Sequence, residues 1–421
     1  MRFTKQFRAN AITVAKDDLL ADLKRLPVII QLVLLFMIVI FVWNSSFLGY
    51  NLTGLAWVIP FAFSLLVLAR NMSRVTFPFF LWLPWVLLLF ISLLLVDWAQ
   101  LDPRVIPLQR TLQLLSPLAV GMAVSTWRPN AVDLQAFLAT CRRLAYLLLL
   151  IVLLKTGVLL TGVLPSVTGM AAEAIAVTLF CSLFATSHII TRSKNDLILW
   201  ALLSCIPIIA VTRTAIAAAM LTFPLSLAPL PLSRRIVALA LIALAGVAVF
   251  NSEHVQKKMF YSGGGTLEDI SSSNEDFATS GRTFMWEKMR AAAKDEEWTG
   301  HGTGMGETFV YRLTRNIAYP HNDWLLTFFD YGYLGVALYI LCLILTIRHG
   351  FFKARQESAP EIRLLFYTGI SAFVPFTIMM FTDNIMVYAS YFGNLHFTIL
   401  GMAYGALCEK KYLSSSSYER T

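Results

Sequence analysis

Residues Phe77–Val96 read FPFFLWLPWVLLLFISLLLV, twenty positions without a single charged side chain. A helix rises about 1.5 Å per residue, so a run of this length reaches across the ~30 Å hydrocarbon layer of a bilayer. Working outward, similar apolar runs fall at 27–43, 53–69, 107–126, 144–163, 169–190, 197–211, 214–232, 236–250, 323–347, 364–383 and 389–407. The whole chain is 57% hydrophobic and only 14% charged, with a mean hydropathy of +0.67. Soluble domains carry near ~25% charged residues, so this composition excludes an ordinary soluble enzyme and a disordered chain. It also excludes a β-barrel, whose strands would alternate in short segments. The expected fold is all-α: a polytopic integral membrane protein of about twelve transmembrane helices.

The net charge of +9 could suggest nucleic acid, but the basic residues mark topology instead. With the amino terminus inside, the inner segments hold 22 of the 34 Lys and Arg, while the short outer loops hold only Arg104 and Arg213. That bias follows the positive-inside rule and predicts both termini in the cytoplasm. Pro207 and the polar Thr212-Arg213-Thr214 divide the apolar stretch 197–232 into two spans. The chain then divides into a basic N-terminal segment (1–26), spans one to nine (27–250), an outer loop (251–322), spans ten to twelve (323–407) and a tail (408–421). No cleavage signature follows the first apolar run, so it reads as a retained span. Residues 11–26 could lie on the inner membrane surface as an amphipathic helix. None of the five cysteines lies in an outward-facing segment, and no Cys or His pairing suggests a metal.

The outer loop opens with a Gly/Ser/acid-rich stretch, YSGGGTLEDISSSNED, and continues with a helix-like run for which Ser280 is the expected N-cap. A glycine turn follows at Gly300, Gly302, Gly304 and Gly306, which lacks the Gly-Lys-Ser/Thr of a P-loop. His321 comes directly before span ten, where an imidazole could take a proton from a hydroxyl at the membrane surface. Arg282, at a helix start, suits an anion because backbone N–H groups and the helix dipole converge there. Arg110, Lys155 and Glu173 are costly charges inside the outer halves of spans, and Arg213, Asp383 and Asn384 lie at outer ends of spans. Interfacial snorkelling, or Lys155 pairing with Glu173 across a hairpin, is the structural alternative to substrate binding for these charges. His188, His349 and His396 fall within or toward the inner half and have no assigned role.

Taken together, S-G-R-T-x-x-W at Ser280–Trp286, W-x-G-x-G-x-G at Trp298–Gly304, P-H-N-x-x-L at Pro320–Leu325 and G-x-x-G at Gly332–Gly335 form an ordered series. This series resembles the O-antigen ligase / Wzy-type polysaccharide polymerase superfamily, as does V-T-R-T-A at Val211–Ala215. The resemblance is sharp over about 205–345. Where the family has a serine-rich stretch before the arginine, this chain has Ala210-Val211-Thr212.

The resemblance implies a glycosyltransferase of the bacterial inner membrane, working at the periplasmic face without metal, cofactor or nucleotide sugar. It would move a glycan from an undecaprenyl-type polyprenyl-diphosphate donor to a sugar hydroxyl. By the same resemblance His321 is catalytic and Arg213 and Arg282 are diphosphate-associated. Arg110, Lys155, Glu173 and Asp383 match nothing in the family pattern and, with Asn322, are expected substrate-binding residues as polar groups on the outer side of the membrane. The stretch PHNDWLLTFFDYGYLG is more like exopolysaccharide-type members, which favours a polymerase over a ligase acting on lipid A–core. Expected partners are the lipid-linked donor, the glycan or lipid A–core acceptor, the bilayer, and flippase and chain-length regulator proteins, with no nucleic acid. A transporter or flippase of lipid-linked sugars would also want twelve spans and midplane charges. It would not need a 70-residue outer loop ending in a histidine.

Overall fold

The computed structural model describes residues 19–42, 46–47, 50–160, 171–271, 274, 276–279, 281–315 and 317–418. Among them regular structure is helical apart from a two-residue ladder pairing Ser46–Phe47 with Tyr50–Asn51. The first half runs α1 (Leu19–Arg25), α2 (Val28–Val42), α3 (Leu52–Asn71), α4 (Leu83–Ser92), α5 (Pro107–Val124), α6 (Ala131–Leu160), α7 (Ala171–Thr191) and α8 (Lys194–Ile209). Then come α9 (Arg213–Leu221), α10 (Leu232–Phe250), α11 (Glu253–Met259), α12 (Arg282–Ala292) and α13 (Met305–Thr314). The chain closes with α14 (Asp323–Gln356), α15 (Pro360–Ser371), α16 (Phe373–Met379) and α17 (Asn394–Tyr418). Six described helices are long and apolar enough to cross a membrane by length and composition: Ala56–Arg74, Ala131–Gly157, Glu173–Thr191, Leu232–Phe250, Asp323–Gln356 and Pro360–Met379.

Several boundaries depart from the apolar runs, and proline accounts for most of the differences. The run 77–96 is helical as α4 only from Leu83, because Pro78 and Pro84 cannot donate backbone hydrogen bonds and Pro84 sits in the first turn. The run 214–232 holds only α9, nine residues long; Pro224, Pro229 and Pro231 keep the chain irregular until α10 starts at Leu232. The run 364–383 breaks between α15 and α16, four residues before Pro375, whose ring crowds that carbonyl. In the other direction, α6 begins at Ala131, well before the expected 144, so Arg142 and Arg143 lie within it. Arg142 closes a bidentate pair on buried Asp196 at the start of α8 (2.7 and 3.0 Å).

The main apolar core joins α5, α7, α8, α9, α15 and α17. Within it α7 and α8 form a tight hairpin, and α17 lies along α5. The short α9 is wedged between α7 and α16, which places its first residue, Arg213, beside the segment that follows α16. In contrast α10 has no buried residue. Above this core a second apolar cluster, with Met285, Met289, Val310, Leu326 and Phe329 at its centre, seats α12 and α13 on the first turns of α14.

Candidate active site

The outer loop is fixed to the bundle through a break in α14. Gly332 has φ 64° and ψ −168°, so the helical ladder is interrupted there. Backbone groups around the break are taken up by the loop: Tyr333 N–H donates to Glu297 (2.7 Å), Gly302 N–H to Asp330 (2.9 Å) and His301 N–H to Phe329 (2.9 Å). Such close approach needs glycine on both sides. A Cβ at Gly300 would stand 2.4 Å from the backbone of Asp330 and Tyr331, and one at Gly332 would stand 2.3 Å from that of Trp298. The Asp330 carboxylate then accepts from Gly304 N–H (3.0 Å) and Gly306 N–H (2.7 Å), capping α13. The glycine turn is thus a docking joint for the loop.

That joint holds the turn Pro320–Asp323 in place. Trp286 Nε1 on α12 donates to the Pro320 carbonyl (2.6 Å), Asp323 N–H donates to Met380 (2.8 Å), and Met386 N–H donates to Asp323 Oδ2 (2.7 Å). His321 between these clamps has φ 52°, in the left-handed region that a non-glycine residue adopts at a cost of about 1–3 kcal/mol. Its side chain stays 31% exposed, open to a substrate. Nδ1 faces Asp383 Oδ1 at 3.5 Å and the Asn384 amide at 3.2 Å. Asn384 Oδ1 is buried without a partner. With the amide turned so that Oδ1 faces the ring, it accepts Nδ1–H, and Nε2 is left as the free lone pair.

Beside the imidazole stand three cations. Arg213 opens α9, its Nη2 donating to the Ala278 carbonyl (3.2 Å) and its guanidinium 5.6 Å from the Phe277 ring centre. Arg282 opens α12, where Gly281 takes the N-cap position with φ 74°; Ser280, the expected cap, lies outside the described residues. Its Nη1 donates to the Thr382 carbonyl (2.8 Å), and the Thr382 hydroxyl bonds that of Thr214 in the first turn of α9. The third cation is Lys258 on α11, which sequence reading passed over; its Nζ donates to the Val211 carbonyl (2.7 Å). Among the described residues no carboxylate forms an ion pair with any of the three. Burial and the neighbouring Arg282 hold the Arg213 guanidinium below its ordinary value. Burial lowers Arg282 likewise, against the pull of Asp383. Lys258 is lowered by burial, by Arg213 and by Arg282. Three neighbouring cations, two of them in the first turns of helices and none in an ion pair among the described residues, suit a multiply charged anion.

The other expected substrate contacts have partners inside the protein. Arg110 is buried on α5, its Nε 2.8 Å from Glu307 Oε1 of α13, with the Tyr319 ring 5.2 Å away. Burial pushes the Glu307 carboxyl above its ordinary value, and Arg110 pulls the other way. Lys155 Nζ donates to Glu173 Oε1, the hairpin pair named as the structural alternative. Asn322 is buried as the N-cap of α14, its Oδ1 accepting from Leu325 N–H (2.9 Å). Of the expected set, His321, Arg213, Arg282 and Asp383 come together, and Lys258, Asn384 and Thr382 join them. A signal for Asn384 lay in its adjacency to Asp383; nothing local marked Lys258.

No curated protein matches this chain. Residues 197–340 match the family model Wzy_C, described as O-antigen ligase, a stretch that holds Arg213, Lys258, Arg282 and His321 and ends before Asp383.

Proposed function

We propose that this protein is a membrane glycosyltransferase that moves a glycan from a polyprenyl-diphosphate donor to a sugar hydroxyl at the periplasmic face of the inner membrane. The observation that carries this reading is an exposed, acid-backed His321 beside partly buried arginines without a carboxylate ion pair. In this reading twelve spans place both termini in the cytoplasm and the loop 251–322 outside.

The acceptor hydroxyl gives its proton to His321 Nε2 as its oxygen bonds to the anomeric carbon. Asp383, on the Nδ1 side, stabilises the imidazolium that forms. The bond from the anomeric carbon to the diphosphate oxygen breaks, and its electron pair leaves with the phosphate, where Arg213 and Arg282 receive the charge through charge-assisted hydrogen bonds. Attack opposite the leaving group inverts the anomeric centre. A diphosphate is a good leaving group, so the arrangement needs no strong general acid.

The acceptor we favour is a second lipid-linked repeat unit, making the protein a polymerase of O-antigen or exopolysaccharide. Purified protein incubated with a polyprenyl-diphosphate-linked repeat unit, alone and with lipid A–core, decides the matter when glycans are resolved on a gel. A ladder without lipid A–core that vanishes in His321→Ala supports polymerisation. Product only with lipid A–core makes it a ligase. Substrate crossing the membrane with no new glycosidic bond would replace both with a transporter.

A further inference from the structure

The two lysines near the end of α11 have different partners. Lys257 is exposed and pairs one turn back with Glu253 (2.5 Å), an ordinary solvated helix pair. Lys258 is exposed as well, but its ammonium is tied back to the protein by the Val211 carbonyl (2.7 Å). Val255, Met259 and Phe260 pack with Val211 in a small apolar cluster, and Met259 and Tyr261 bond the returning strand at Ala278 and Asp276 (2.8 and 2.9 Å). Those contacts fix the rotation of α11 and turn Lys258 toward the Val211–Arg213 turn. Its acceptor there, the Val211 carbonyl, belongs to a residue with φ 48°, so the turn is itself held in an uncommon conformation. An ammonium has three donors, and the Val211 bond uses one.

We propose that Lys258 is the third cation of the diphosphate site, matched to the charge that appears only as the donor bond breaks. The proposal rests on the transferase reading above. A diphosphate esterified at both ends carries one charge on each phosphate, and two arginines suffice for it. When the sugar departs, the freed phosphate becomes a monoester end worth about −1.5 to −2 at neutral pH. A cation that meets this additional charge stabilises the transition state more than the bound donor, and such differential interaction raises kcat without tightening KM. Arg213 and Arg282 beside it repel its charge, and an anion seated among the three relieves that repulsion. Lysine suits this role as a compact point charge, whereas the two arginines supply planar forks.

The test uses the full-length protein in nanodiscs with three variants: Lys258→Gln, Lys258→Arg and, as a control on the same helix, Lys257→Gln. Two readouts are needed: steady-state transfer from the lipid-linked donor, and binding of polyprenyl diphosphate followed by intrinsic tryptophan fluorescence. We expect Lys258→Gln to lower kcat about 10–100-fold while donor KM stays within about threefold. It should also weaken polyprenyl diphosphate about tenfold or more, while Lys258→Arg retains most of both and Lys257→Gln changes neither. Unchanged kcat in Lys258→Gln overturns the proposal. So does an equal loss in Lys258→Gln and Lys258→Arg, because the residue would then serve as a geometric tie for the turn. If the wild type transfers nothing, the transferase reading fails by itself, and the polyprenyl diphosphate comparison still decides whether Lys258 belongs to an anion site.

Discussion

Arg110 and Arg282 both lie near the outer loop, and their surroundings are opposite. Arg110 is buried against Glu307, stacked near Tyr319, and helps lock α13 to α5 beneath the glycine joint. Arg282 is half exposed, bonded to a single neutral carbonyl, and faces two further cations. The first arrangement lowers the energy of the fold and leaves the guanidinium nothing to offer a ligand. The second costs folding energy and leaves charge ready for one. Residue type alone does not separate them, but the partner does.

The sharpest test of the second region is His321→Ala, expected to lower transfer about 10²–10⁴-fold. Because the imidazole is 31% exposed and the turn is held by backbone bonds of its neighbours, thermal unfolding should show little loss of stability. Near-wild-type turnover would end the assignment. Arg110→Ala should show the reverse pattern, a loss of about 3–5 kcal/mol from leaving Glu307 charged, buried and alone, seen as a lower melting temperature in detergent. Its severity should be relieved by the double change Arg110→Met with Glu307→Leu, which removes both charges together. If Arg110→Ala melted normally yet lost activity, the division between the two regions would be wrong.

Smaller effects refine the contrast. Arg213→Lys and Arg282→Lys should each reduce turnover about 10–100-fold, because a point charge cannot reproduce the planar fork. Neither should lower the melting temperature. The least effect concerns pH. The lowered pKa of Lys258 means that the unfolded chain binds more protons than the folded one below the ordinary lysine value of 10.5. Stability of the ligand-free protein therefore rises as pH climbs through the lowered value toward 10.5. Melting curves of wild type and Lys258→Gln across that range should converge at the alkaline end, and parallel curves would contradict it.

How much of this was legible beforehand depended on the range over which each signal acts. His321, Arg213 and Arg282 were visible because each lies in a short motif at a helix start, where backbone geometry is local. The apolar runs gave the helical character for the same reason, although the prolines at 224, 229 and 231 shortened α9 more than hydropathy suggested. Lys258 was invisible because its acceptor, Val211, is 47 positions away and its neighbour Lys257 makes the pair look solvated. Arg110 was read as a substrate contact because nothing near it in sequence foretold Glu307. An intramembrane charge announces that it has a partner, and only packing tells whether that partner is protein or ligand.

The discontinuity at Gly332 also works as a splice between loop and stem. The first turns of α14, with the histidine ahead of them, are bolted to the loop, while the long stem beyond residue 332 lies among the apolar helices. A stem of that length accommodates a thinner or thicker bilayer by tilting. Tyr333 and Leu334, past the break, also bond Glu297 and Trp298 of the loop. The top of the stem and the headpiece are therefore fastened to the same segment, and a tilt of one carries the other with it.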